Sequence, residues 1–166
     1  DFNRYPDCLA KKPIAAFSEL YGISPDVVTA GNGSDELISV ITSCFFESGD
    51  TLVNVSHDFS MYGFYAQLYE LNVETYQKNA DLTIDADKLI AFCKEKNARG
   101  LIFSNPCNPT SVGLDRDSVR KIITSLEDTL VILDEAYMDF WDQSLLDEVD
   151  KYSNLLILKT CSKAIG

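Results

Sequence analysis

Three short runs in this chain contain only large apolar side chains: Leu101-Ile102-Phe103, Leu130-Val131-Ile132-Leu133 and Leu155-Leu156-Ile157-Leu158. A strand with one wet face alternates apolar and polar residues. An unbroken apolar run is what a parallel strand needs when helices cover both of its faces. Between the first two runs, Val119, Ile122, Ile123 and Leu126 recur at helical spacing. The same alternation extends upstream. Thr51 to Val55 and Val73 to Tyr76 read as strands, Met61, Phe64, Tyr65 and Leu68 as a helix, and Leu89, Ile90 and Cys93 as the inner face of another. Nearer the start, Ile14, Phe17 and Leu20 mark a helix stopped by Gly22, and Val27 to Ala30 reads as a short strand. Gly31 to Glu36 is then a turn into a helix with Leu37, Ile41, Cys44 and Phe45 as its apolar face. Strands alternating with helices of about 10–15 residues predict an α/β fold with a mostly parallel sheet. No repeat, low-complexity tract or linker interrupts it, so residues 1–166 read as one α/β domain.

Length and charge narrow the function. A chain of 166 residues can bury a sizeable core, and 46% hydrophobic residues is ordinary for a soluble globular protein. A net charge of −12 argues against nucleic acid or an anionic membrane as partner. Five cysteines at scattered positions, with no Cys-x-x-Cys pair, predict a reducing, cytoplasmic setting rather than a disulfide framework or a zinc site. With His57 as the only histidine, most metal-site and Ser-His-Asp schemes fall away, and a metal is not expected. No apolar stretch is long enough to span a membrane. Asp1-Phe2-Asn3-Arg4 is not a natural beginning, and both ends read as cut.

The chemistry sits where the apolar runs end. The 130–133 run delivers Asp134-Glu135-Ala136-Tyr137, and the 155–158 run leads to Thr160-Cys161-Ser162-Lys163. Ligands of open α/β sheets bind at the carboxyl ends of the strands. An aspartate, a phenol, hydroxyls and an amine converging there suit pyridoxal phosphate, which a lysine anchors and an aspartate polarises. Asp-Glu after an apolar run also suits the magnesium-binding strand of P-loop ATPases, but G-x-x-x-x-G-K-[ST] is absent. Gly31-Asn32-Gly33-Ser34-Asp35 offers free N–H groups at a helix start for a phosphate. Taken alone, it is more often an ordinary helix capped by Ser34 or Gly33. The two prolines of Asn105-Pro106-Cys107-Asn108-Pro109-Thr110 stiffen the loop after the 101–103 run, which would hold the Asn108 amide in one place; a purely structural turn fits equally well. By default Phe59 and Tyr62 are core aromatics, and His57 is a loop residue without chemistry.

Taken in order, Asn3-Arg4-Tyr5-Pro6-Asp7, Gly33-Ser34-Asp35-Glu36, the 105–110 loop, Asp134-Glu135-Ala136-Tyr137 and Ser162-Lys163-Ala164 resemble the fold type I pyridoxal-phosphate-dependent aminotransferases (class I/II). Within that family they look most like the histidinol-phosphate aminotransferases. The resemblance implies a three-layer α/β/α large domain, with Lys163 holding the cofactor and shuttling the substrate α-proton. It makes Asp134 the partner of the pyridine nitrogen, Tyr137 and Asn108 donors to the ring's phenolic oxygen, and Phe59 the stacking aromatic. Ser34 and Asp35 would hold the phosphate by backbone N–H groups, with the hydroxyls of Thr160 and Ser162. Tyr5 would reach the phosphate of a neighbouring subunit, which implies a homodimer. Three positions depart from the family pattern: Ser111 for glycine, Phe59 for the commoner tyrosine and His57 for proline.

Family members continue past the lysine into an arginine for the phosphate, an antiparallel strand and a small C-terminal domain. The resemblance therefore makes residues 1–166 a partial large domain, truncated before these parts, and the segment alone is expected not to transaminate. A gap or exposed edge is expected where the absent strand would lie between two that are present. The expected reaction passes an amino group between histidinol phosphate, or a related amino acid, and 2-oxoglutarate. Two alternatives are a threonine-phosphate decarboxylase-like enzyme and a non-catalytic cofactor-binding fragment.

Overall fold

In the computed structural model, residues 5–164 are described; Asn3 and Arg4 of the first motif lie outside them. Five strands form one sheet: β1 (Thr51–Val55), β2 (Asn72–Tyr76), β3 (Gly100–Ser104), β4 (Leu130–Asp134) and β5 (Leu155–Leu158). Their order is β2-β1-β3-β4-β5, and every neighbouring pair is parallel. The helices are α1 (Lys11–Tyr21), α2 (Gly33–Phe45), α3 (Met61–Leu68), α4 (Ala86–Glu95), α5 (Arg116–Ser125) and a last short turn, α6 (Cys161–Ala164).

Residues of successive strand positions point to opposite faces, and each face carries its own core. Val53, Leu101, Phe103, Val131 and Leu133 pack against Leu89 and Cys93 of α4 and Val119, Ile122 and Ile123 of α5. Leu52, Ile102, Ile132 and Leu158 pack against Ile38 and Ile41 of α2 and Tyr62 and Ala66 of α3. The result is the expected three-layer α/β/α arrangement. Asp85 and Asp115 start α4 and α5 by accepting from the N–H groups of Lys88 and Ser118, a side-chain cap at each helix start.

Three expectations are corrected. Val27–Ala30 is not a strand: Pro25–Val27 forms a 3-10 turn capped by Ser24, and Val28 is extended without a strand to pair with among the described residues. Isolated extended backbone has no ladder to hold it. On α2 the covered residues are Ile38, Ile41 and Thr42, whereas Phe45 is 55% exposed and Cys44 is exposed. Thr42 can face inward because its hydroxyl donates to the Ile38 carbonyl (2.7 Å). On α3 the covered pair is Tyr62 and Ala66, and Phe64 and Leu68 are exposed.

Between β4 and β5 the chain makes two 3-10 turns, Met138–Phe140 and Leu146–Lys151. Glu148 ties the second to α5, accepting from Arg120 (2.8 Å) and Arg116 (3.0 Å). The two guanidiniums, Arg120 foremost, hold its carboxyl down at about 2.

Candidate active site

Strand β4 carries Asp134 to its carboxyl end, where the side chain is 5% exposed. Tyr62 Oη of α3 donates to its Oδ2 (2.7 Å), and the Ala136 N–H donates to its Oδ1 (3.0 Å). No cation acts on Asp134 among the described residues. Burial pushes its carboxyl above the ordinary carboxylate range and the Asp58 charge adds to the rise, while the bonds from Tyr62 and Ala136 oppose it. Burial, together with the charges of Asp134 and Asp58, raises the Tyr62 phenol, so it stays protonated and donates. Phe59 lies edge-on to Tyr62, ring centres 5.5 Å apart, and is 46% exposed.

A second group forms beside the first. Asn108 Nδ2 donates to Tyr137 Oη (2.9 Å), and Lys163 Nζ sits 5.4 Å from the centre of the Tyr137 ring. The loop bearing Asn108 is folded back by Asn105, whose side chain both accepts from the Leu114 N–H (2.7 Å) and donates to the Leu114 carbonyl (3.0 Å). The Asn105-Pro106 and Asn108-Pro109 peptides are both cis. Ser111, the departure from glycine, has φ 57°, the left-handed region that favours glycine. Gly113 is required there, because a Cβ would collide with the Trp141 ring and the Asn105 side chain. A cavity of about 350 Å³ lined by Pro106, Cys107, Asn108, Ser111, Tyr137, Phe140 and Trp141 adjoins this pair, and neither Asp134 nor Lys163 lines it.

The remaining expected residues are placed less tightly. Thr160 and Ser162 share a hydrogen bond (2.7 Å) just before Lys163, which is exposed on α6. Ser34 and Asp35 lie in the first turn of α2, whose N-cap is Asn32, neither Ser34 nor Gly33; no side chain caps the turn. Glu36 folds back instead to accept from the Asn32 N–H (2.6 Å). Gly33 makes the entry at φ 84°. Asp35 accepts from Tyr65 Oη (3.0 Å), which joins α2 to α3. Tyr5 is wholly exposed.

Sequence reasoning left out Tyr62 as a partner of Asp134. It also left out a network under the β4 and β5 ends. There Lys159 Nζ lies 3.2 Å from Asp139 and 4.0 Å from Glu135, with Tyr21 Oη donating to Asp139 (2.7 Å). A lysine directly between an apolar strand and Thr160 was the available signal.

The donor set fits pyridoxal phosphate. A carboxylate this covered, with no counter-cation among the described residues, would gain from a protonated ring nitrogen beside it. The solved structures this chain resembles point the same way. Histidinol-phosphate aminotransferase from Sinorhizobium meliloti, in complex with pyridoxal-5'-phosphate, superimposes with TM-score 0.90 at 25% identity, covering 98% of this chain and 45% of that one. L-threonine-O-3-phosphate decarboxylase from Porphyromonas gingivalis shares the fold at TM-score 0.79 and 20% identity, over 96% of this chain and 46% of that one. The fold is that of the large domain of the fold type I pyridoxal-phosphate-dependent transferases.

Sequence comparison narrows this class. Residues 1–166 match the family described as Aminotransferase class I and II, and the chain belongs to that family. Histidinol-phosphate aminotransferase from Clostridium kluyveri is 39% identical over 166 residues, all of this chain and 47% of the relative. That from Pyrococcus furiosus is 36% identical, again over all of this chain and 47% of its own length. The chain thus spans about half the length of the curated relatives it matches.

Proposed function

We propose that the protein carrying this chain is a pyridoxal-phosphate-dependent aminotransferase that moves an amino group between histidinol phosphate and 2-oxoglutarate, working as a homodimer. The observation that carries the reading is Asp134: a buried carboxylate with no cation beside it among the described residues, at the carboxyl end of a central strand. When bound, pyridoxal phosphate supplies an electron sink for the electrons left when the substrate α-proton departs.

The chain's own residues supply the rest. Asp134 holds a proton on the ring nitrogen by its charge, and Tyr62 keeps that carboxylate aimed by donating to Oδ2. Asn108 and Tyr137, already bonded to each other, present their amide and phenol to the ring's phenolic oxygen. Lys163 Nζ anchors the cofactor, takes the α-proton and returns it. Phe59 stacks on the ring. The N–H groups of Ser34 and Asp35, with Thr160 and Ser162, take the phosphate, which suits both its charge and the dipole of α2. Tyr5 reaches into the neighbouring subunit, in keeping with its full exposure here. Residues 1–166 form most of the cofactor-binding domain. A helix long and apolar enough to cross a membrane is absent among the described residues. The decarboxylase reading is not favoured, since that neighbour shares only the fold.

The test is glutamate formation: full-length protein, its mass in solution measured by sedimentation, is given histidinol phosphate and 2-oxoglutarate. Glutamate should accumulate with pyridoxal phosphate present and not without it. A monomeric mass, or carbon dioxide release from phosphothreonine with no glutamate formed, would count against the reading.

A further inference from the structure

Phe59 lies in the segment between β1 and α3, and the core does not fix its ring, which is 46% exposed. The segment is nevertheless strapped down. Asp58 accepts from the Ser104 N–H through Oδ2 (2.9 Å) and from Ser104 Oγ through Oδ1 (2.5 Å). Its Oδ1 also accepts from the N–H of Phe59 itself (2.7 Å). A second strap comes from Cys107, whose Sγ donates to the His57 carbonyl (3.3 Å).

Ser104 is the last residue of β3 and pairs in register with Asp134 across the β3–β4 ladder. Asp58 therefore grips the residue one strand over from Asp134, and the chain Phe59–Asp58–Ser104–Asp134 ties the Phe59 backbone to the strand end that carries the carboxylate. Tyr62 closes the loop from the other side, touching Phe59 edge-on and donating to Asp134. A ring that stacks on a ligand is useful only if its distance and tilt are held, which an exposed side chain on a free loop cannot do.

We propose that Asp58 is a positioning residue for the cofactor: by gripping Ser104 and the Phe59 N–H it holds Phe59 at the strand ends beside Asp134, where its ring would stack on the cofactor. The inference rests on the pyridoxal phosphate reading given above. Asp58 touches neither cofactor nor substrate; it acts through Phe59.

The experiment is a titration of the full-length apoprotein with pyridoxal phosphate, followed by visible absorbance and visible circular dichroism, for wild type, Asp58→Ala, Asp58→Asn and Ser104→Ala. Asp58→Ala removes the acceptors and should weaken cofactor binding about tenfold, with a changed visible dichroism that reports altered ring orientation. Asp58→Asn keeps one acceptor oxygen, which can serve the Ser104 N–H or the Phe59 N–H but not both, so it should bind the cofactor more weakly than wild type and more tightly than Asp58→Ala. Ser104→Ala deletes one bond only and should fall between wild type and Asp58→Ala; it decides the matter if Asp58→Ala does not fold. Wild-type affinity and dichroism in Asp58→Ala, or in Ser104→Ala if that variant decides, would overturn the proposal. If wild type itself gives no borohydride-sensitive band, the cofactor reading fails and this inference falls with it; a normal wild-type band with unaffected variants sinks the role of Asp58 alone.

Discussion

A carboxylate at the end of a covered strand, bonded only to a phenol and a backbone amide, is easier to protonate than one in water. Asp134 is in that position, and burial is the main cause of its raised pKa. The sign follows directly. An acid whose pKa is higher in the folded state costs stability as pH rises from the ordinary carboxylate value through the raised one. Asp134→Asn should therefore make the ligand-free, full-length protein more stable at neutral pH, raising Tm by about 2 °C. Tyr62 can reverse its hydroxyl to accept from the new amide, so the hydrogen bonds survive. The gain should vanish in acid, where Asp134 is already protonated; thermal melts at neutral and acid pH check both arms, and a lower Tm for the variant at neutral pH would contradict the assignment. That Asp134, Tyr137 and Asn108 lie beyond the carboxyl ends of neighbouring strands was legible, because each follows an apolar run or sits in a proline-stiffened loop. Tyr62 was not, because a tyrosine at helical spacing looks the same whether its hydroxyl meets solvent or a buried carboxylate.

At the scale of elements, β4 and β5 must end side by side for Tyr137 and Lys163 to meet. The Glu135 N–H donates to the Leu158 carbonyl (2.8 Å), continuing the ladder past the strands. Lys159 then takes over. Its side chain is 5% exposed, paired with Asp139 and Glu135, and lies over the Tyr21 ring at 4.8 Å. Glu135 is itself held by Ser144 Oγ (2.6 Å). Lys159→Met should leave two carboxylates without their cation and lower stability by about 2–3 kcal/mol, and Lys159→Arg should recover most of it. Denaturant titrations of the two variants would show this, and equal stability of Lys159→Met and wild type would contradict it. The strands and the existence of the helices were readable from periodicity. Helix faces were less so: α2 and α3 turn Thr42 and Tyr62 inward, and a polar residue whose hydroxyl is satisfied locally breaks the apolar pattern that marks a face.

At the scale of the molecule, the sheet gathers every expected site residue except Tyr5 around the carboxyl ends of its strands or the first turn of α2. Val27 to Ala30 was misread because a strand exists only where a neighbour pairs with it, which local sequence does not record. The all-parallel order β2-β1-β3-β4-β5 places β4, with Asp134, between β3 and β5. Ser104, at the end of β3, and β5, which leads to Lys163, thus flank Asp134 on opposite sides, although 59 positions separate Ser104 from Lys163 in sequence. We propose that this convergence forms a cofactor site built on Lys163 and Asp134. The most direct measurement is the visible absorption spectrum of the full-length protein and its Lys163→Ala variant after addition of pyridoxal phosphate. A cofactor bound through Lys163 should give the wild type a visible band that borohydride removes and that the variant lacks; no band in the wild type, or the same borohydride-sensitive band in both, would rule this site out.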